Sequence, residues 1–254
     1  FPHGAALWWQ SQPTYEETFW LQFLTEYRNF LYQYANLAAL AGADEIILGG
    51  DWLLPSLPVN GNFSIYSQPG NIEKIWADTL TGVRDRFQGK ISFVVSLDMA
   101  EDPPEFLSQI DRIYLSWDLP MGTISSEEMS NALDEHAGTL ATEINKPVVI
   151  LAAIPSVQGY NLACIPSPNA AGDCLNTSNL KIGPTLENPA ASDLEMQAKY
   201  YHALLAAASE QNWVAGVISQ GYYPDLALNG TSASIHGKPA ELVFTSWLAA
   251  ISGE

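Results

Sequence analysis

The length, composition and charge of the chain exclude several classes of protein. With 254 residues it can bury the core of one large α/β domain. Its 28 acidic residues against 10 basic ones give a formal net charge of −18, which nucleic acids and anionic membrane surfaces would repel. No apolar run reaches the roughly 20 residues that span a bilayer. We therefore expect no nucleic-acid partner and no membrane span.

Strands and helices alternate from the start of the chain. Residues 5–9, Ala-Ala-Leu-Trp-Trp, are predicted as a short first strand. Apolar residues then recur at three- and four-residue spacing, which predicts a long amphipathic helix over residues 15–41. Its predicted buried face consists of Trp20, Phe23, Leu24, Tyr27, Phe30, Leu31, Tyr34, Leu37 and Ala38. A strand at 45–48 follows, and the stretch 53–70, rich in proline and glycine, is predicted as a loop.

The same alternation continues to the end of the chain. Asn71 is predicted to cap a helix. The later elements are strand 91–97, a short helix from Pro104, strand 112–116, helix 125–144, strand 147–153, helix 193–211, strand 214–219 and a helix from Pro239. Strict alternation with nearly continuous apolar strands is typical of a parallel sheet covered by helices.

These elements predict an α/β fold, a (β/α) TIM-type barrel, as a single domain over residues 1–254. Six β/α units are visible, whereas a complete barrel needs eight. We expect the first two units to come from a missing N-terminal segment or from a further polypeptide. A doubly wound open sheet is the alternative fold. It usually has a glycine-rich phosphate loop after its first strand, and no such motif occurs here.

Three predicted strands end in an aspartate. In (β/α) barrels the carboxyl ends of the strands form the edge where catalysis or ligand binding takes place. The candidate catalytic residues are therefore Asp51, Asp98 and Asp118, with Glu101 and Asp225 behind them. The alternative is that these carboxylates only cap turns or hold loops, as strand-end aspartates often do.

Aromatic and amide side chains accompany these carboxylates. Indole rings suit the C–H face of a sugar, and amides suit its hydroxyl groups. The candidate substrate-binding residues are Trp8, Trp9, Trp52, Trp117, Gln158, Gln220, Tyr222 and Tyr223. The alternative is that the tryptophans belong to the core, as large aromatic residues usually do.

The cysteines and histidines bear on compartment and cofactors. Cys164 and Cys174, the only cysteines, lie ten residues apart in one loop, which favours a disulfide and an oxidising compartment. The alternative is two unpaired thiols. The four histidines show no metal-ligand spacing, so we expect neither a metal nor another cofactor.

Several short motifs together resemble clan A glycoside hydrolase barrels, especially the mannanase-like glycoside hydrolase family 113. They are Gly49-Gly50-Asp51 at a strand end, NKPVVIL at 145–151, PSVQGY at 155–160 and SIHGKPAE at 234–241. The resemblance implies that Asp51 occupies the acid/base position and that residues 145–151 form the seventh barrel strand.

Two departures from this family keep two functions open. The family's glutamate nucleophile at the end of strand seven is absent from residues 150–155, Ile-Leu-Ala-Ala-Ile-Pro, and Asp51 is one methylene shorter than the family's glutamate. One function is an extracellular or cell-surface glycoside hydrolase acting on a polysaccharide. The other is a non-catalytic glycan-binding or surface-structural protein descended from such an enzyme. In both cases a carbohydrate is the expected partner.

Overall fold

The computed structural model describes residues 16–58, 68–167, 173–175, 191–222 and 230–252. The first strand predicted at 5–9 lies outside these residues. The chain divides into two compact units. Unit 1 comprises Phe1–Leu115 with His136–Val148, and unit 2 comprises Ser116–Glu135 with Val149–Glu254. Whether residues 1–254 act as one domain stays a prediction.

A five-stranded sheet has the order β1-β2-β3-β4-β7. Its strands are β1 Glu45–Gly49, β2 Lys90–Val95, β3 Arg112–Trp117, β4 Val148–Ala152 and β7 Val214–Ser219. The pairs β1–β2 and β2–β3 are parallel. The other two strands, β5 Ile165–Pro166 and β6 Cys174–Leu175, form a small antiparallel pair. The predicted α/β fold with a parallel TIM-type sheet is confirmed, and each of the five predicted strands within the described residues is present.

Helices separate the strands along the chain, as predicted. They are α1 Glu17–Ala41, α2 Ile72–Arg84, α3 Leu97–Glu101, α4 Ser126–Glu143, α5 Leu194–Glu210 and α6 Pro239–Ser252. Short 3₁₀ helices cover Asp51–Ser56, Glu105–Gln109 and Tyr160–Leu162. Among the described residues, none of the helices combines the length and apolar character needed to cross a membrane.

Two local predictions are wrong in detail. The strand predicted at 91–97 ends at Val95, because Ser96 caps helix α3 by accepting a hydrogen bond from the Met99 N–H at 3.4 Å. The loop predicted at 53–70 starts inside a 3₁₀ helix, Asp51–Ser56. Asn71 does precede α2, but its side chain makes no capping hydrogen bond.

Helix α1 buries a narrower stripe than the sequence spacing suggests. The buried residues are Trp20, Leu24, Tyr27, Leu31 and Ala35. Phe30, Tyr34 and Leu37 share the predicted apolar face, yet each is exposed. The helix ends at Gly42, whose left-handed φ of 66° lets the chain turn directly into β1.

An aromatic cluster forms the core of unit 1. Trp76 of α2 is almost fully buried and contacts Phe93 of β2, Phe106 and Tyr27 of α1, at ring-centroid distances of 5.7, 5.4 and 5.9 Å. The Trp76 indole N–H donates to the backbone carbonyl of Ser56 at 2.8 Å. The cluster therefore fastens two helices, one strand and the turn after β1 to each other.

A polar cluster lies where the strands of unit 1 begin. The Glu45 carboxylate of β1 accepts hydrogen bonds from Ser92 on β2 and from Arg112 and Tyr114 on β3, the last two at 3.0 and 3.3 Å. Because one carboxylate joins three neighbouring strands, it aligns their starts on a single face of the sheet.

The predicted disulfide is confirmed. Cys164 and Cys174 are bonded, with their Cα atoms 4.8 Å apart. Cys164 directly precedes β5, and Cys174 is the first residue of β6, where it lies opposite Pro166. The bond thus closes a short loop that follows strand β4.

Opening this disulfide should destabilise the protein. The two cysteines are ten positions apart, and closing a loop of that size is worth about 2–3 kcal/mol of unfolded-chain entropy. We expect Cys164→Ser with Cys174→Ser to lower the free energy of unfolding by this amount in urea denaturation. Intact mass should show two alkylation adducts only after reduction. Equal alkylation without reductant would contradict the bond.

Candidate functional site at the carboxyl ends of the strands

The end of β1 can be built only with glycine. Gly49 and Gly50 have φ values of +89° and +118°. A Cβ atom at Gly49 would lie 2.7 Å from both the Val94 carbonyl oxygen and the Phe93 ring. The glycine therefore allows β1 to approach β2 and then turn sharply into the 3₁₀ helix that begins at Asp51. The turn presents Asp51 at the strand end, although its side chain lies outside the described part of the structure.

Helix α1 packs against this turn through Tyr27. The backbone N–H of Gly49 hydrogen-bonds the hydroxyl oxygen of Tyr27, and burial raises the pKa of Tyr27. The ring of Trp52 meets the ring of Tyr27 edge to face, with centroids 5.4 Å apart. Trp52 remains partly exposed, so one indole is held in a defined position next to Asp51.

Asp98 is also at a strand end of unit 1, and it is exposed. It lies in the first turn of α3, just after β2. A carboxylate in this position is favoured by the helix dipole. Glu101 of the same helix contacts His136 at 3.3 Å. Asp98 is thus available to solvent, whereas Glu101 already has a partner.

In unit 2, buried tyrosines hold the end of β3. The Trp117 indole N–H donates to the Tyr200 hydroxyl at 3.0 Å, and that hydroxyl donates to the Leu119 carbonyl at 2.5 Å. The Tyr160 hydroxyl donates to the carbonyl of Asp118. Burial raises the pKa of both phenols, so they stay protonated donors. Trp117 is fully buried here and offers no open face for stacking on a sugar.

A third tyrosine holds the end of β4. The Tyr201 hydroxyl donates to the carbonyl of Ala152 at 3.1 Å, and the backbone N–H of Gln220 donates to the same carbonyl at 2.8 Å. Tyr160, Tyr200 and Tyr201 were missed by the sequence analysis. The adjacent pair at 200–201 inside a predicted helix was the available signal.

Three predicted ligand-binding residues of unit 2 are exposed. Gln158 and Gln220 follow β4 and β7, respectively. Tyr222 is 55% exposed, and its ring stacks on His236 with centroids 4.5 Å apart. Its hydroxyl donates to Glu241 at 3.0 Å, which fixes the orientation of the ring.

The remaining predicted site residues of unit 2 and of the N-terminal segment are less informative. Asp118 is half-buried. Trp8, Trp9, Tyr223 and Asp225 lie outside the described residues.

The segment after β4 is closed to solvent. Residues 151–157, Leu-Ala-Ala-Ile-Pro-Ser-Val, are all buried and contain no acid. Beneath them Lys238, also buried, donates from Nζ to Ser156 Oγ and to the Ser232 carbonyl, both at 2.9 Å. Ser156 in turn donates to the Gly230 carbonyl at 2.7 Å. This lysine was not singled out by the sequence, because a single Lys gives no sign of burial.

Metal ligation finds no support in the described part of the chain. No three histidine, cysteine, aspartate or glutamate side chains there are grouped to hold an ion. The strand-end carboxylates also divide between the units, with Asp51 and Asp98 in unit 1 and Asp118 in unit 2. Carboxylates can supply acid–base chemistry. Trp52 in unit 1, and Tyr222 with the two glutamines in unit 2, can each supply sugar contacts within their own unit.

Comparison with known proteins identifies the fold. No protein-family model and no curated protein matches the chain. Among solved structures, a complex of a GH113 β-1,4-mannanase shares 20% identity and a TM-score of 0.61, over 94% of this chain and 64% of that one. The GH113 β-mannanase of Alicyclobacillus acidocaldarius shares 19% identity and a TM-score of 0.61, over 91% of this chain and 63% of that one. The chain therefore has a GH113-like TIM-type fold and spans about two thirds of the length of these enzymes.

Adding a methyl group at Gly49 should destabilise the turn that presents Asp51. The left-handed backbone and the contact with the Val94 carbonyl oxygen predict a loss of about 2–4 kcal/mol for Gly49→Ala. Gly138 in α4 has open space around it, so Gly138→Ala should raise stability by about 0.5–1 kcal/mol. Urea unfolding of both variants measures the difference. Equal effects would show that the Gly49 conformation is not required.

Lys238 should make stability depend on pH. Burial lowers its pKa from 10.5 to about 8, so between these values the unfolded chain keeps a proton that the folded protein releases. Unfolding free energy should therefore rise with pH across this window, by up to about 3 kcal/mol. Lys238→Met should remove that rise. Denaturation of both proteins from pH 7 to 10 measures this, because the other titrating groups are the same in both and cancel in the difference between their free energies of unfolding. A difference that stays constant with pH would refute the lowered pKa of Lys238.

Proposed function

We propose that this protein recognises a polysaccharide at the carboxyl ends of its strands and hydrolyses it as a glycoside hydrolase. The observation that carries the proposal is the position of Asp51 in a GH113-like fold. It follows the Gly49-Gly50 turn at the end of β1, where the family resemblance expects the acid/base residue. The exposed ring of Tyr222 and the partly exposed ring of Trp52 add sugar-stacking surfaces in their respective units.

In this proposal Asp51 protonates the oxygen of the leaving sugar. The second carboxylate is Asp98 or Asp118, because each follows a strand end and neither is buried in the core. The distance between the two carboxyl groups sets the outcome: roughly 5 Å suits a retaining enzyme and 6.5–9.5 Å an inverting one. Gln158 and Gln220 donate to and accept from sugar hydroxyls, and Trp8, Trp9 and Tyr223 extend the stacking surface.

A β-1,4-mannan is the first substrate to test, since the solved structures of this fold are described as β-1,4-mannanases. An extracellular or cell-surface location fits this substrate. The disulfide between Cys164 and Cys174 supports it, because such bonds persist in oxidising compartments.

One observation favours a second function, non-catalytic glycan binding. The resemblance expects a glutamate nucleophile just after β4, and that segment is a buried apolar stretch. A carboxylate there would lose its solvation by water, which is costly for a charged group. A protein with this rim would still bind sugar through its aromatic and amide side chains.

Replacing Asp51 with Asn should separate these two functions. The variant keeps the size of the side chain and loses its transferable proton, so turnover of β-1,4-mannan or another active polysaccharide should fall by about 10²-fold or more. Asp134→Asn on the exposed surface of α4 is the matched control and should keep full activity. Reducing-sugar release from a polysaccharide panel and a glycan array, run on all three proteins, provide the measurements.

The outcomes of this experiment are distinct. Wild-type binding without turnover on any polysaccharide would establish the non-catalytic function. Turnover that survives Asp51→Asn would overturn the acid role of Asp51. Neither binding nor turnover across the panel would overturn carbohydrate recognition as a whole.

A further inference from the structure

Two turns in unit 2 bring two aromatic rings together. Tyr222 follows β7, and His236 lies just before α6. The glycine beside each of them, Gly221 and Gly237, has a left-handed φ, of 80° and 72° respectively. The helix after a strand begins near the carboxyl end of that strand in a β/α fold. Both rings therefore lie at the edge where such folds bind their ligands.

The imidazole of His236 covers one face of the Tyr222 ring. The two rings are stacked, with 29° between their planes and 4.5 Å between their centroids. His236 is half-buried by its surroundings, whereas Tyr222 remains 55% exposed. Because one face of the phenol ring is occupied, its exposed surface belongs mainly to the opposite face and the ring edge. That surface suits the C–H face of one sugar ring.

The carboxylate of Glu241 holds the same ring by its hydroxyl group. One carboxylate oxygen accepts from the Tyr222 hydroxyl at 3.0 Å, and the other accepts from the Gly237 N–H at 2.6 Å. These two hydrogen bonds, the backbone one foremost, hold the pKa of Glu241 below its usual range. The carboxylate is therefore a charge-assisted acceptor that joins the segment after β7 to the first turn of α6.

We propose that Glu241 and His236 are positioning residues of a sugar platform formed by Tyr222. The sugar as ligand rests on the proposed function, and the new element is that two residues act on it through the phenol ring. A ring that turned freely would have to be ordered when a sugar binds. Holding the ring beforehand removes that cost.

Substitutions at Tyr222 separate the ring from its hydroxyl contact. Affinity for mannohexaose, a β-1,4-linked oligosaccharide, is measured by calorimetry in the Asp51→Asn background, in which the proposed turnover is suppressed. Tyr222→Phe keeps the ring and loses the contact with Glu241, so affinity should fall about 3- to 10-fold. Tyr222→Ala should lower it by about 10-fold or more. Tyr34→Phe on α1, where Tyr34 is 53% exposed, is the matched control and should leave affinity unchanged.

Substitutions at His236 test the stacked face. His236→Ala removes the ring behind Tyr222 and should weaken mannohexaose binding about 3- to 10-fold. His236→Phe restores a flat ring at this position, so affinity should return close to that of the parent protein. His202→Ala removes an exposed imidazole from α5 and should have no effect. Rescue by a ring distinguishes positioning from a general loss of stability.

A double substitution tests whether Glu241 acts through the phenol hydroxyl. Glu241→Ala also removes the acceptor of the Gly237 N–H, so it should lower stability in urea denaturation. If its effect on sugar passes through the hydroxyl, Glu241→Ala combined with Tyr222→Phe should bind no more weakly than Tyr222→Phe alone. If Glu241→Ala fails to fold, Tyr222→Phe alone decides, because it leaves the bond to Gly237 in place.

The stack itself is tested without any sugar. In NMR spectra the imidazole C–H signals of His236, assigned by their loss in His236→Ala, should shift in Tyr222→Ala, which removes the ring current of the phenol. Signals that do not move would overturn the stack.

The binding results distinguish this inference from the proposed function. Mannohexaose affinity that is unchanged in Tyr222→Phe and His236→Ala would overturn the positioning roles and leave carbohydrate recognition standing. Additive losses in the double variant would overturn the action of Glu241 through Tyr222. A parent protein that binds neither mannohexaose nor any member of a glycan array would overturn the proposed function, and the platform with it, even where the NMR shift confirms the stack.

Discussion

The parallel pairing of β1, β2 and β3 is the interaction on which the rest of unit 1 depends. The register places Gly49 opposite Val94 and continues from Val94 to Tyr114. Strands that run in one direction must all end at one edge. The turn into Asp51 and the cap before Asp98 therefore lie along the same rim. The carboxylate of Glu45 secures the opposite end by joining all three strands.

Buried phenols give the strand ends their fixed geometry. The last peptide groups of a strand lack ladder partners, and a buried polar group without a partner costs about 1–3 kcal/mol. Tyr27 accepts from the Gly49 N–H in unit 1. In unit 2, Tyr160 donates to the Asp118 carbonyl just after β3, and Tyr201 adds a second hydrogen bond to the Ala152 carbonyl at the end of β4. Their side chains reach from helices or loops to the strand ends. The backbone at these strand ends is therefore held in place by side-chain hydrogen bonds, and preorganisation of this kind lowers the cost of binding a ligand.

The end of β4 differs most from what catalysis by the resembled family would need. Burial of residues 151–157 supports packing, and the Lys238–Ser156 contact beneath them stabilises it with hydrogen bonds rather than with an ion pair. An acidic side chain inserted there would have to displace apolar contacts or pair with Lys238. The proposed hydrolysis therefore draws its carboxylates from the other strand ends, where Asp98 is exposed to solvent.

The sequence by itself determined the order of strands and helices, the disulfide and the presence of aspartates at strand ends. These follow from local signals: apolar periodicity, glycine before a turn and two cysteines in one loop. The burial of Trp117, the exposure of Phe30, Tyr34 and Leu37, and the tyrosine contacts with strand-end peptide groups were decided by the tertiary structure alone. Periodicity shows that a residue is apolar and on one face, but whether that face is covered depends on neighbours distant in sequence. A phenol or an ammonium group likewise becomes a structural contact only when folding brings a carbonyl within about 3 Å of it.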